Sequence, residues 1–134
     1  MDNRNPSSIF FLPVLENEVI DLVNNLKSKK SVGHDGISNI CLKQIIPEIV
    51  KPLTFIFNLS ICNGIVPQKM KLAKVIPIFK KGDPCNVCNY RPISLLTSIS
   101  KILEKIVYSR TIKFLKVNNI FCETQFGFRK KHST

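Results

Sequence analysis

Between Lys71 and Lys81 the hydrophobic period of the chain changes, and that change limits the fold more than any other feature. On either side, apolar residues recur at helical spacing. Here they alternate: Ala73, Val75, Pro77 and Phe79 fall on one face, and Lys74, Ile76, Ile78 and Lys80 on the other. The segment reads as a strand, with Pro77 favouring an edge position. Lys81-Gly82-Asp83-Pro84 is a turn, and Tyr90–Leu96 is a second extended segment. Together they predict a β-hairpin with a tip of about eight residues.

The remaining segments read as helices. Leu15, Val19, Leu22, Val23 and Leu26 form a first stripe, with Glu16, Glu18 and Asp21 early and Lys27, Lys29 and Lys30 late, the order a helix dipole favours. Ser31–Gly36 is a glycine-bracketed loop. Ser38 caps a short helix over Asn39–Ile46. Pro47 opens the next helix at its first position, with Ile49, Leu53, Ile56, Phe57 and Ser60 on its buried face. Gly64 closes that helix, and Pro67 follows. Thr97 or Ser98 starts the last helix, lined by Ile99, Ile102, Leu103, Ile106, Val107 and Phe114 and ended by Asn118-Asn119. The expected class is α+β: about four α-helices with one antiparallel β-hairpin, behind a loose leader over residues 1–14.

A chain of 134 residues is one ordinary domain or part of a larger one. Its charge is lopsided. In residues 1–67, Arg4, Lys27, Lys29, Lys30, Lys43 and Lys51 are balanced by Asp2, Glu16, Glu18, Asp21, Asp35 and Glu48. The net +11 therefore sits in residues 68–134, where only Asp83, Glu104 and Glu123 are acidic. Such a field points to an anionic partner, nucleic acid before membrane, or else to a solvated basic face. The five cysteines are an odd number, and the short apolar patch Ile9–Leu15 is broken by Pro13 and lacks a basic lead-in. An intracellular protein with reduced thiols is expected, in nucleus or cytoplasm and not secreted. No membrane is expected as a partner, because the longest uncharged stretch, Pro52–Gln68, is interrupted by Pro, Asn and Gly.

Catalytic constellations are scarce. His34 and His132 lack neighbours at ligand spacing. Cys85-x-x-Cys88 is half of a zinc knuckle without the other half, and reads as unrelated thiols in a hairpin tip. No phosphate-loop or nucleophile-elbow motif is present. Asp35, between two glycines, reads first as a turn residue bonding its own backbone. Phosphate binding is better served: a hairpin brings Lys80 and Arg91 near each other, a point charge beside a planar fork. The bland alternative is a solvated hairpin. Phe126, Phe128 and Arg129 offer flat faces for stacking on bases, or a place in a core.

Six pieces, in order, resemble the reverse transcriptase of non-LTR (LINE-type) retrotransposons near its N-terminal end. They are Lys29-Lys30-Ser31-Val32-Gly33-His34-Asp35-Gly36-Ile37; Phe57-Asn58-Leu59-Ser60 with Gly64 and Pro67; Val75–Asp83; Asn89-Tyr90-Arg91-Pro92-Ile93-Ser94-Leu95-Leu96; Lys101–Lys105; and Gln125-Phe126-Gly127-Phe128-Arg129 with Ser133-Thr134. The match spans residues 15–134. It implies the fingers part of a right-hand polymerase fold, incomplete without palm and thumb. It implies that Lys80 and Arg91 contact the triphosphate of the incoming deoxynucleotide. It also implies that Gly33, Asp35, Gly36 and Ile37 lie along the template, and that Gly127, Phe128 and Arg129 lie near the template or nascent base pair. RNA template, DNA primer and dNTP are the implied partners.

The family's metal-holding palm carboxylates fall beyond this sequence. No catalytic residue and no cofactor is therefore expected in the segment, magnesium belonging to the complete polymerase. The other reading is a non-catalytic basic nucleic-acid-binding module, or an inert relic of a mobile element. Helix faces such as Ile102, Ile106 and Phe114 are expected to stay partly uncovered without a palm, favouring self-association.

Overall fold

A computed structural model describes residue 9 and residues 11–29 and 31–120. Helix α1 spans Glu16–Asn24, α2 Asn39–Asn63, α3 Gln68–Lys71 and α4 Ser98–Val117. Strands β1 (Ala73–Phe79) and β2 (Tyr90–Leu96) form a two-stranded antiparallel sheet. The class is α+β, as the sequence implies.

Helix α2 departs from expectation. It runs without a break through Pro47 and Pro52, where the sequence suggested two helices. Each proline removes a backbone donor and costs about 3 kcal/mol in a helix interior. The opposing gain is the buried stripe Leu42, Ile46, Val50, Leu53 and Phe57. Fully burying side chains of this size gives about 1.5–3 kcal/mol each, which outweighs both prolines. Pro47 and Pro52 are themselves exposed, so water reaches that side of the helix. Ser38 caps the start as expected, its side chain accepting from the Cys41 N–H at 3.2 Å. The Gly64 N–H closes the end on the Ser60 carbonyl. By length and composition α2 could cross a membrane. In this fold its Leu42–Phe57 stripe is the centre of the core, while Phe55, Ile56 and Leu59 stay exposed.

The core is the meeting of three helices. Val19 and Val23 from α1 and Leu26 just after it join the α2 stripe and Ile102, Leu103 and Ile106 from α4. Ile102 and Ile106 are fully buried, so the expectation that they would be stranded is wrong. Helices α1 and α2 supply their cover. Phe114 is half-buried.

Two polar devices fasten the chain ahead of α1. The Asn58 side chain on α2 accepts from the Val14 N–H at 2.7 Å and donates to the Val14 carbonyl at 3.0 Å. Arg110 on α4 meets Glu18 on α1 through two parallel bonds, each of 2.8 Å. Its Nε also donates to the Leu12 carbonyl at 3.0 Å.

Helix α1 ends at Asn24, so Lys27 and Lys29 lie in the following loop rather than in its last turn. The segment before β1 begins with α3, a single turn that the alternating pattern from Lys71 onward did not show.

The hairpin projects from the helices, and none of its strand residues is fully buried. Pro77 stands directly opposite Pro92. The Lys80 N–H donates to the Asn89 carbonyl at 2.8 Å, which makes 80/89 a bonded rung. Antiparallel rungs alternate, so 78/91 is bonded and 77/92 is not. Both proline nitrogens therefore face the outer edges, and each edge lacks a donor at its middle. This blocks addition of a further strand. Replacing both prolines with threonine is expected to raise concentration-dependent association in sedimentation above that of the parent. Identical sedimentation of the two chains would contradict the edge-blocking role.

Candidate nucleic-acid interface

The register sets the geometry of the cationic pair. Arg91 pairs with Ile78, and Lys80 follows the end of β1, two residues beyond Ile78, on the 80/89 rung. Cross-strand partners share a face, so Lys80, Ile78 and Arg91 stand on one side of the hairpin. Lys80 and Arg91 are diagonal neighbours, with Cβ atoms about 7–8 Å apart. Both are exposed. Among the described residues neither is in an ion pair with a carboxylate, the recorded ion pair being Arg110–Glu18. Asp83, close in sequence, is turned to the backbone, its Oδ1 accepting from the Cys85 N–H at 2.9 Å.

The opposite face of the hairpin is braced by aromatic rings. Phe79 and Tyr90 meet edge-to-face with centroids 5.5 Å apart. The Tyr90 hydroxyl donates to the Pro84 carbonyl at 2.9 Å and ties down the tip. The tip runs over residues 80–89, longer than the sequence suggested because it contains a 3-10 turn at Val87–Asn89.

The glycine loop lies at the other end of β2. Gly33 is buried, and a Cβ placed there would come within 2.9 Å of the Thr97 Cα and 3.2 Å of the Leu96 carbonyl carbon. Only glycine lets the loop rest on the junction of β2 and α4. Ile37 is half-buried and packs against the core. Asp35 and Gly36 are exposed. The Asp35 Oδ1 accepts from the Ile37 N–H at 3.2 Å, the turn role read from the sequence. Gly36 has φ +71°, a left-handed turn position. Of the four loop residues singled out, two thus face inward and two outward.

A polar cluster holds the junction. Thr97 caps α4, its Oγ1 accepting from the Ser100 N–H at 3.1 Å. The Ser100 hydroxyl donates to the Met70 carbonyl at 2.7 Å. Ser98 donates to the Asn39 side chain, whose Nδ2 donates to the Lys27 carbonyl at 2.7 Å. Helices α2, α3 and α4 and the loop after α1 are thereby joined beneath Gly33.

The structure does not bring all the sequence-derived residues into one pocket. From Arg91 to Thr97 the strand rises about 20 Å. Lys80 and Arg91 at the tip, and Asp35 and Gly36 at the base, mark two ends of a track rather than one cleft. Gly127, Phe128 and Arg129 fall outside the described residues. An apolar recess of about 590 Å³ beside α3 and α4, lined by Val66, Met70, Leu96, Leu103, Val107 and Tyr108 among others, contains none of these residues. Among the described residues, no three His, Cys, Asp or Glu side chains gather where a metal ion would be held. Sequence reasoning missed Arg110, Asn39 and Asn58, whose partners lie tens of residues away along the chain.

No protein-family model matches the chain. It is similar to the RNA-directed DNA polymerase from mobile element jockey of Drosophila funebris, 37% identical over 123 residues. That alignment covers 91% of this chain and 13% of the relative. It is similar to the probable RNA-directed DNA polymerase from transposon BS of Drosophila melanogaster, 34% identical over 91% of the chain and 14% of the relative. The probable polymerase from transposon X-element of the same species is 36% identical over 87% of the chain and 13% of the relative. The chain thus spans a small part of the length of each curated relative it matches. On this similarity, which runs through nearly all of its residues, the chain belongs to the reverse transcriptases of non-LTR retrotransposons, as a fragment of one.

Proposed function

We propose that the chain is the fingers segment of an RNA-directed DNA polymerase. In this reading Lys80 and Arg91 hold the triphosphate of an incoming deoxynucleotide, and the exposed turn at Asp35 and Gly36 guides the template strand. The observation that carries it is the diagonal of Lys80 and Arg91 on one exposed hairpin face, where no carboxylate of a described residue neutralises either cation. A flexible ammonium and a planar guanidinium at that spacing suit two phosphoryl groups of one chain of phosphates. The names of the relatives, RNA-directed DNA polymerase, fit the same chemistry. Gly127, Phe128 and Arg129 remain assigned to the template or nascent base pair by family resemblance. Magnesium is assigned to the complete polymerase.

Binding of the 134-residue chain to a primer–template oligonucleotide tests the reading. If about five phosphates are neutralised, log affinity falls against log salt with a slope of about −3.5 for single strands and −4.5 for duplex. A flat titration overturns the nucleic-acid reading.

A further inference from the structure

Two thiols lie three residues apart in the hairpin tip, beyond the paired strands. Cys85 and Cys88 are both free and exposed. Cys85 lies in a turn closed by the Asn86 N–H on the Asp83 carbonyl at 3.1 Å. The 3-10 turn Val87–Asn89 follows. Between the two, Asn86 is extended, at φ −95° and ψ 116°, and its Oδ1 accepts from the Cys88 N–H at 3.0 Å.

We propose that Cys85 and Cys88 are a dithiol modification site, closed to an internal disulfide by low-molecular-weight disulfides such as glutathione disulfide. A disulfide requires Cα atoms about 4.4–6.8 Å apart. Rotating Asn86 from extended to helical ψ merges the two turns, and side chains three apart in a 3-10 turn eclipse one another. The rotation gives up the Asn86 cap on the Cys88 N–H. It leaves the helical core untouched, because the tip contributes no residue to that core.

The chemistry balances. The thiolate of one cysteine attacks a sulfur of glutathione disulfide, forming a mixed disulfide and releasing one glutathione thiolate. The second cysteine's thiolate attacks the protein sulfur of that mixed disulfide, forming the Cys85–Cys88 bond and releasing the second glutathione. Two protein thiols are oxidised, one small disulfide is reduced to two thiols, and the two protons pass from the protein to glutathione.

Cys41 and Cys62 serve as internal controls. They lie near opposite ends of α2, and at 1.5 Å per residue they are about 30 Å apart, too far to bridge. The tip is also joined to Lys80. The Asn89 carbonyl accepts from the Lys80 N–H at 2.8 Å, and Asn89 Nδ2 donates to the Asp83 carbonyl at 2.9 Å. Closing the disulfide therefore shifts the last rung of the hairpin and the cation it carries. The site stands apart from the phosphate reading; its effect on binding rests on that reading.

The test incubates the whole chain across a series of glutathione to glutathione disulfide ratios, traps free thiols by alkylation, and maps the tryptic peptide Gly82–Lys101 by mass. Cys85 and Cys88 are expected to lose alkylation together, with no glutathione attached, at ratios where Cys41 and Cys62 still alkylate. In Cys85→Ser, Cys88 is expected to carry glutathione instead. Separate glutathione adducts on Cys85 and Cys88, or titration parallel to Cys41 and Cys62, would overturn the proposal. Oligonucleotide affinity is read on the same samples. A several-fold loss on oxidation, absent in Cys85→Ser, supports the link to Lys80. Unchanged affinity on disulfide formation overturns the link, whereas failure of the phosphate reading itself is reported separately by the flat salt titration.

Discussion

Replacing Arg110 with alanine is expected to cost the fold about 2–3 kcal/mol, enough to lower the thermal midpoint by roughly 10 °C. The pair it forms with Glu18 is bidentate, with N–O distances of 2.8 Å. The Arg110 side chain is 14% exposed and the Glu18 side chain 32%. A pair this sheltered lies between an exposed bridge, worth under about 1 kcal/mol, and a fully buried one. The loss extends beyond charge, because Arg110 also holds the Leu12 and Pro13 carbonyls and so fixes the approach to α1. A shift in unfolding free energy below about 0.5 kcal/mol would show the contact to be ornamental.

The same pair gives stability a pH dependence. The hydrogen bond from Arg110 and its positive charge hold the Glu18 carboxyl below its usual value of 4.5, against a smaller opposing effect of burial. A group depressed in the folded state stabilises fully above its unfolded pKa and loses that contribution as pH falls through its folded pKa. Glu18→Gln is therefore expected to lower stability at neutral pH and to converge on the parent in acid, as pH falls through the depressed carboxyl value. Parallel stability curves for the two chains from neutral pH into acid would contradict this.

Gly33→Ala is the second large effect, a loss of about 2–3 kcal/mol. The added methyl meets backbone atoms of Thr97 and Leu96 at 2.9–3.2 Å, and backbone atoms at a helix cap cannot move aside as a side-chain end would. Gly36→Ala is the control. Nothing lies within 4 Å of that position, so only the left-handed φ of +71° opposes it, at about 1–2 kcal/mol. Equal unfolding midpoints for the parent and Gly33→Ala would show that the loop is not seated as described.

Much of this was legible along the chain because the signals were local. The two-residue period placed Lys80 and Arg91 on a hairpin, Ser38 and Thr97 announced helix starts, and Asn118-Asn119 announced a helix end. Pro47 misled for a physical reason. Proline's local penalty is visible in sequence, while the packing of Leu42, Ile46 and Phe57 against α1 and α4 that overrides it is not. The burial of Ile102 and Ile106 was hidden for the same reason, since their cover comes from distant helices. Asp35 read correctly as a turn residue because its partner is two residues away. Arg110 and Glu18 sit 92 residues apart, and no local pattern links them. The separation of the Asp35 turn from the Lys80–Arg91 pair follows from β2 running between them, a length countable only once the register was fixed.

We propose that Lys80 and Arg91 grip one chain of phosphates. The most direct measurement is the dissociation constant of a deoxynucleoside triphosphate for the parent chain, Lys80→Gln, Arg91→Gln and the double variant, at fixed low salt. Each single change is expected to weaken binding about tenfold, or about 1.4 kcal/mol. The double variant should fall short of the product of the two, because residues holding one ligand are coupled. Triphosphate affinity unchanged in both single variants, with folding intact, would contradict the claim and leave the hairpin a solvated one.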